Sequence, residues 1–63
     1  MSNEVKVYTE SGKIYYINER GRWFYVSKPS WIPGRDRVGS AESMKKAALL
    51  IELDSGEDIA SLD

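Results

Sequence analysis

Three short runs of β-branched and aromatic residues, at positions 5–9, 13–17 and 22–26, constrain the fold of this chain more than any other feature. Ser11-Gly12 lies between the first two runs, and a segment that ends in Gly21 lies between the second and the third. Such residues favour a pleated strand, and glycine supplies the positive φ angle that a tight hairpin turn requires. The pattern predicts an antiparallel meander of three strands, at about 4–9, 13–18 and 22–27.

The rest of the chain predicts a long loop and one helix. Two prolines and two glycines exclude regular structure over most of the segment 28–39. Ser40 is a suitable N-cap for a helix over about 41–54, which Gly56 would end. Apolar residues in this segment recur at the spacing of one helical face: Met44, Ala47, Ala48 and Ile51. An acidic tail or a short turn is expected over 56–63, and the predicted fold is α+β, a three-stranded meander packed on one C-terminal helix (β-β-β-α).

Composition limits both the stabilisation of the fold and its chemistry. The 63 residues leave room for one small domain, 1–63, with one modest core. The chain has no cysteine and no histidine, which excludes disulfides, thiolate zinc sites and the commonest general base near neutral pH. Stability must therefore come from burial of aromatic side chains or from self-association.

The N-terminal region and the apolar runs bear on localisation. No apolar run approaches the roughly 20 residues that are needed to cross a membrane, and the N-terminus lacks the pattern of a signal peptide. We expect a cytoplasmic protein with no membrane partner. Because the chain begins with Met and ends in an acidic segment, we also expect it to be full length.

Charge is unevenly distributed along the chain. Residues 1–40 carry seven Lys or Arg and four Asp or Glu, whereas residues 41–63 carry two Lys and six Asp or Glu. The net charge of the whole chain is −1. The distribution predicts a mildly basic half made of sheet and loop and an acidic helical half.

Strand alternation divides the meander into two faces once the turn lengths are set. A two-residue turn at Ser11-Gly12 would pair Thr9 with Ile14, and a four-residue loop over 18–21 would place the third strand. The uncharged face expected to meet the helix comprises Val5, Val7, Ile14, Tyr16, Trp23 and Tyr25. The face expected to stay exposed comprises Lys6, Tyr8, Lys13, Tyr15, Ile17, Arg22, Phe24 and Val26. A different length for the second loop would shift the third strand and swap its two faces.

The predicted exposed face mixes cations with aromatic rings and has two interpretations. In one, the long basic side chains cover apolar surface with their stems and hold their charges in water. In the other, the cations contact phosphates or acidic groups while the rings stack on a ligand. An apolar area with charged edges would also suit a protein partner or a second copy of the chain.

The segment after the meander offers a second candidate site. Trp31 and Ile32 are expected to fold over the edge of the core as a strap. Arg35 and Arg37 follow a glycine turn and could bind a phosphate or carboxylate with paired hydrogen bonds. Asp36 lies between them and could instead neutralise them locally.

Catalysis has little support in the sequence. There is no nucleophile and base pair built on Cys or His, no Walker loop and no G-x-G-x-x-G motif. The acidic residues Glu52, Asp54, Glu57 and Asp58 lack the ordered spacing of a calcium loop, so they are interpreted as a solvated helix end. We expect no enzymatic activity, no metal and no cofactor.

A family resemblance rests on the third strand and on the helix start. An aromatic strand follows a glycine over Gly21-Arg22-Trp23-Phe24-Tyr25-Val26, and after a basic turn Ser40-Ala41-Glu42-Ser43 opens an alanine-rich helix. Over roughly residues 13–53, this arrangement resembles the small three-strand-plus-helix modules at the N-termini of phage-type integrases. Those modules bind arm-type DNA sites and are related in fold to plant AP2 domains.

In that family the sheet enters the major groove, and side chains on its outer face read the bases. The resemblance implies this role for Lys13, Tyr15, Arg20, Arg22, Phe24 and Lys28. The chain departs from the family pattern because it is acidic overall and lacks a recombinase domain. A free-standing regulator from a phage or another mobile element would fit these departures.

The sequence therefore predicts a small non-enzymatic module that contacts nucleic acid through a basic-aromatic sheet face and an arginine-containing loop. The residues predicted to bind are Lys6, Lys13, Tyr15, Arg20, Arg22, Phe24, Arg35 and Arg37. The alternative is a protein-interaction module, such as a small inhibitor or adaptor, which uses the same face or the acidic helix. Homodimerisation is a variant of that alternative.

Overall fold

The computed structural model describes residues 3–31 and 34–62 and contains one antiparallel sheet with a helix on one side. Its elements are β1 (Asn3–Thr9), β2 (Ile14–Arg20), β3 (Trp23–Pro29), β4 (Arg35–Ala41), α1 (Met44–Ser55) and β5 (Ile59–Leu62). The strand order in the sheet is β4-β3-β2-β1-β5. The α+β class and the meander of β1, β2 and β3 are confirmed, and the sheet has two strands more than predicted.

Strand β4 occupies most of the segment predicted to be a loop. It pairs with β3 from Pro29↔Arg35 to Phe24↔Ala41, with a register shift between Val26 and Ser27. The expected loop over 28–39 is therefore wrong, because pairing along a preformed strand is made by backbone groups and tolerates residues of low strand propensity. Trp31 is 93% exposed in the β3–β4 connection, so it is not tucked over the core. The matching prediction for Ile32 lies outside the described residues.

Strand β5 replaces the expected acidic tail or short turn. Its register on β1 runs from Val7↔Leu62 to Thr9↔Ile59, and the Glu10 N–H donates to the Asp58 carbonyl at 3.1 Å. Four residues are enough here because β1 presents an unpaired edge on that side. The strand after the helix therefore completes the sheet beside its first strand.

Helix α1 begins three residues later than predicted, because Ala41 is still the last residue of β4. Ser43 is the N-cap in place of Ser40, and its Oγ accepts a hydrogen bond from the Lys46 N–H at 3.2 Å. Gly56 ends the helix as predicted, with a φ of 74°. The apolar stripe of the helix packs on the sheet, with Ala47 and Ile51 fully buried.

The first turn decides which side of the sheet is covered. It is a three-residue loop over 10–12, with the Thr9 N–H donating to the Lys13 carbonyl at 3.0 Å and Gly12 at a φ of 94°. The predicted two-residue turn would have paired Thr9 with Ile14, but the residue opposite Ile14 is Tyr8. This one-residue difference turns the side chains of β2 over relative to those of β1.

The covered face assigned from the sequence is therefore correct in β1 and wrong in β2 and β3. Side chains of the core come from alternate residues of three strands, together with the helix and Ala41: Val7, Tyr15, Ile17, Val26, Ala41, Ala47 and Ile51. Val5 and Phe24 pack against them. The second turn is also shorter than expected, with Arg20 opposite Trp23. Because that shift is an even number of residues, Tyr16, Trp23 and Tyr25 stay on one common face, as predicted, but it is the open one.

Candidate binding surface on the open face of the sheet

The open face is the side of the sheet opposite α1. Its residues alternate with those of the core, and the pairing of neighbouring strands places them side by side. They include Glu4, Lys6 and Tyr8 from β1, Ile14, Tyr16, Asn18 and Arg20 from β2, Trp23, Tyr25, Ser27 and Pro29 from β3, and Arg35, Arg37 and Ser40 from β4. Four of these residues are cations and one is a carboxylate.

Arg35 is fixed in the middle of the open face. Its guanidinium lies 3.8 Å from the centroid of the Tyr16 ring and forms an ion pair with Glu4. Stacking of a guanidinium on a ring and pairing with a carboxylate both restrict the rotamers of a long side chain. On β1, Lys6 places its Nζ 5.5 Å from the centroid of the Tyr8 ring. Each of these two cations is therefore held against an aromatic ring.

A shallow depression lies toward the other end of the open face. Its lining comprises Asn18, Arg20, Tyr25, Val26, Ser27 and Arg37. Within residues 3–31 and 34–62, neither Arg20 nor Arg37 forms an ion pair with a carboxylate. Tyr25 in this lining keeps 37% of its surface exposed, while the neighbouring Trp23, 39% exposed, borders a separate hollow with Ser40, Glu42 and Lys46. The depression thus combines exposed aromatic surface with two cations that have no carboxylate partner among the residues the structure describes.

Four residues predicted to bind lie together on the open face: Lys6, Arg20, Arg35 and Arg37. Arg22 is in the turn between β2 and β3, next to Trp23. Lys13 lies in the first turn, where its Nζ donates to the Ser55 carbonyl at 3.3 Å. Tyr15 and Phe24 lie on the covered side, so their predicted placement on an exposed face is wrong.

Tyr15 instead joins the sheet to the end of the helix. Its hydroxyl donates to Asp54 Oδ2 at 2.7 Å, and Lys28 Nζ donates to the same oxygen at 2.9 Å. Burial, followed by the bond to Asp54, raises the pKa of Tyr15 to about 12, while the Tyr15 and Lys28 bonds lower the pKa of Asp54. Lys28 is thus already paired. The hollow beside this cluster has internally compensated charges, which makes it a poorer binding site than the open face.

Glu57 fastens β5 to the first turn. Its Oε1 accepts a hydrogen bond from the Ser11 N–H at 3.0 Å, and its Oε2 lies 4.0 Å from Lys13 Nζ. Hydrogen bonds from Ser11 and Thr9 lower the pKa of Glu57 to about 2. The Glu57 carboxylate therefore links the segment before β5 to the turn between β1 and β2.

Three aromatic residues of the open face, Tyr16, Trp23 and Tyr25, were expected in the core. The sequence signal that places them outside is the turn Glu10-Ser11-Gly12, which fits a three-residue hairpin loop with glycine in the left-handed position. The amide of Asn18 was not singled out. It lies directly opposite Tyr25 on the neighbouring strand.

Two further observations concern metals and membranes. Within the described ranges, no three His, Cys, Asp or Glu side chains converge so that they could hold a metal ion. In those same ranges, the structure has no helix with the length and apolar character needed to span a bilayer.

A scan against protein-family models and searches of curated proteins and of solved structures give no match to this chain. The resemblance to integrase N-terminal modules therefore stays a prediction.

Proposed function

We propose that this chain is a non-enzymatic binding module that contacts nucleic acid through the open face of its sheet. The observation that carries the proposal is the concentration of cations and aromatic rings on that one face. Lys6, Arg20, Arg35 and Arg37 share it with four rings, and within residues 3–31 and 34–62 the carboxylate among the strand residues of that face is Glu4, which is paired with Arg35. The proposed residues differ from the set predicted from sequence, because Tyr15 and Phe24 belong to the core.

The distribution of charge supports a polyanionic ligand. Although the chain as a whole has a net charge of −1, six of its ten acidic residues are in the segment 41–63, which contains the helix. That segment supplies α1 and β5, and α1 lies on the side of the sheet opposite the proposed surface. A phosphate backbone on the open face would therefore meet the cations first, and its affinity would come mainly from release of counterions.

Arg35 and Arg37 would serve this function in different ways. Arg35 is held in place by Tyr16, and because its guanidinium is already paired with Glu4, a phosphate would have to share or replace that carboxylate. Arg37 is exposed and has no carboxylate partner in the described part of the chain, so its charge is available to a ligand. Both are on β4, the strand that sequence reasoning treated as a loop.

Fluorescence anisotropy with labelled DNA and RNA oligonucleotides tests the proposal. We expect affinity to fall by roughly 10- to 100-fold between about 50 and 200 mM salt, as neutralisation of a few phosphates requires. Arg37→Gln should weaken binding by roughly 3- to 10-fold and reduce the slope of log Kd against log salt by about 0.7–0.9. Lys45→Gln is the matched control, because it removes the same charge from the exposed surface of α1.

The control defines the outcomes of this experiment. Lys45→Gln should leave both the affinity and the salt slope close to those of the unmodified chain. Absence of binding to any oligonucleotide at low salt would rule out the proposal. Equal losses in the two variants would show that binding follows net charge and not the open face.

A protein-interaction module is the second candidate, favoured by apolar residues on the outer surface of α1. Leu49 and Leu53 lie one helical turn apart and are 49% and 82% exposed. Exposed leucines at this spacing suit a second helix or a second copy of the chain. Sedimentation equilibrium tests the homodimeric form: a dimer that Leu53→Lys dissociates would support it, and a monomer at high concentration would exclude it.

A further inference from the structure

The width of the open face restricts which nucleic acid can bind to it. Five strands at the usual spacing place the axes of β4 and β5 about 19 Å apart. The major groove of B-form DNA is only about 12 Å wide and admits a helix or a two-stranded ribbon. The groove could therefore take only a few strands of this face at once, whereas a flexible single strand could lie along the whole face.

Two rings on β3 are spaced for bases that are not stacked on each other. Trp23 and Tyr25 are two residues apart on the same side of the strand, which separates them by about 7 Å. In a duplex, consecutive nucleotides of one strand rise by about 3.4 Å, and the faces of their bases are covered by their neighbours. Rings carried by Cα atoms about 7 Å apart can each receive one base if the nucleic acid is extended and its bases are separated.

Each exposed ring has a polar partner directly across on β2. Arg20 lies opposite Trp23, and Asn18 lies opposite Tyr25. Arg37 lines the same depression as Asn18, Arg20 and Tyr25. An amide beside a ring can hydrogen-bond the edge of a stacked base, while guanidinium groups bind the flanking phosphates. The arrangement supplies a ring, a base-edge partner and phosphate partners within one depression.

We propose, building on the nucleic-acid function above, that the ligand is single-stranded and that two successive bases stack on Trp23 and Tyr25. Asn18 contacts the edge of the base on Tyr25, and Arg20 and Arg37 bind the backbone on either side. Single-stranded DNA and RNA share the chemistry that this site recognises, since every base has an aromatic face.

The test compares a 12-nucleotide strand, as DNA and as RNA, with the blunt duplex of the same sequence at one salt concentration. We expect the single strand to bind roughly 10-fold or more tightly than the duplex and to quench tryptophan fluorescence. Trp23→Leu and Tyr25→Leu, which keep apolar bulk but remove the ring, should each weaken single-strand binding by roughly 5- to 100-fold. Circular dichroism verifies that the variants are folded.

Trp31→Leu is the matched control, because Trp31 is the other tryptophan and is 93% exposed in the β3–β4 connection. It should leave affinity for the single strand nearly unchanged. Duplex binding that equals or exceeds single-strand binding, or equal losses in the Trp23 and Trp31 variants, would overturn this inference and leave the nucleic-acid function standing. Failure of both ligands to bind would overturn the function itself.

Discussion

Neighbouring residues of β2 show how differently the two sides of one sheet are used. Tyr15 and Ile17 are buried beneath α1, and the Tyr15 hydroxyl is bonded to Asp54 at the end of that helix. Tyr16 lies on the other side against the Arg35 guanidinium, and Asn18 lines a depression with Arg20 and Arg37. Two adjacent tyrosines thus serve a structural and a surface role, and the length of a turn several residues away decides which is which.

The covered side depends on apolar burial, which gives the largest expected effect. Ile17→Ala should reduce the free energy of unfolding by about 2–5 kcal/mol, since Ile17 is fully buried and its loss leaves a cavity. For a chain of this size that is most of the stability, so the variant should melt early or remain unfolded. Asn18→Ala, one residue along on the open face, should change it by about 0.5 kcal/mol or less. Urea denaturation measures both, and equal losses would contradict the assignment of the two sides.

The first turn sets the register that separates the two sides. Gly12 has a φ of 94°, and a Cβ added there would meet nothing within 4 Å, so the cost of a side chain is conformational. Gly12→Ala should therefore reduce the free energy of unfolding by about 1–2 kcal/mol. Gly12→Asn should cost less, because asparagine tolerates this region better. If alanine and asparagine were equally neutral in urea denaturation, the left-handed turn would not be what fixes the register.

The smallest expected effect is on how the stability of the fold changes with pH below 4.5. The pKa of Glu57 falls from its ordinary value of 4.5 to about 2 in the folded chain, so the carboxylate stabilises the fold above pH 4.5. That contribution should be lost as the pH falls through the interval from 4.5 to 2. Glu57→Gln should flatten the fall of the melting temperature in this interval, whereas Glu52→Gln should leave it in place. If the melting temperature of Glu57→Gln fell with pH as it does in the unmodified chain, the hydrogen bond between Glu57 and Ser11 would make no measurable contribution to stability.

Some features of the fold follow directly from local sequence. Glycine turns between β-branched and aromatic runs predicted β1 to β3, and Gly56 marked the end of α1. Ala47 and Ile51 were recognised as core residues because a helix has one period and one buried side. In these cases the sequence pattern is compatible with only one local structure.

Other features could not be predicted from hydrophobicity, because it does not show which side of a strand is buried. In Tyr15-Tyr16 and Trp23-Phe24-Tyr25, apolar residues fall on both sides of the strand, so burial alone gives no register. The lengths of the two turns decide between them, and the turn at Gly12 is the one whose length changes the faces here. β4 carries Arg35, Asp36 and Arg37, and its strand form comes from pairing with β3.

The sequence predicted the cations of the candidate site but not its aromatic residues. Arg20, Arg35 and Arg37 were singled out and share the open face. Trp23 and Tyr25 were assigned to the core, because the two-residue turn expected at Ser11-Gly12 aligned their strands with Val5 and Val7. An error of one residue in the predicted register thus placed the aromatic residues of the open face in the core.

The short strand β5 also covers the outer edge of β1, which could otherwise pair with a second copy of the chain. While it is in place, the backbone of β1 from Val7 to Thr9 has a partner on its outer edge. Loss of the bond between Glu57 and Ser11 would weaken the attachment of β5, and departure of β5 would leave that row of N–H and C=O groups open to another chain. Acid near pH 2, where Glu57 becomes protonated, should therefore favour edge-to-edge association of chains through β1, which Ile59–Leu62 cover in the folded chain.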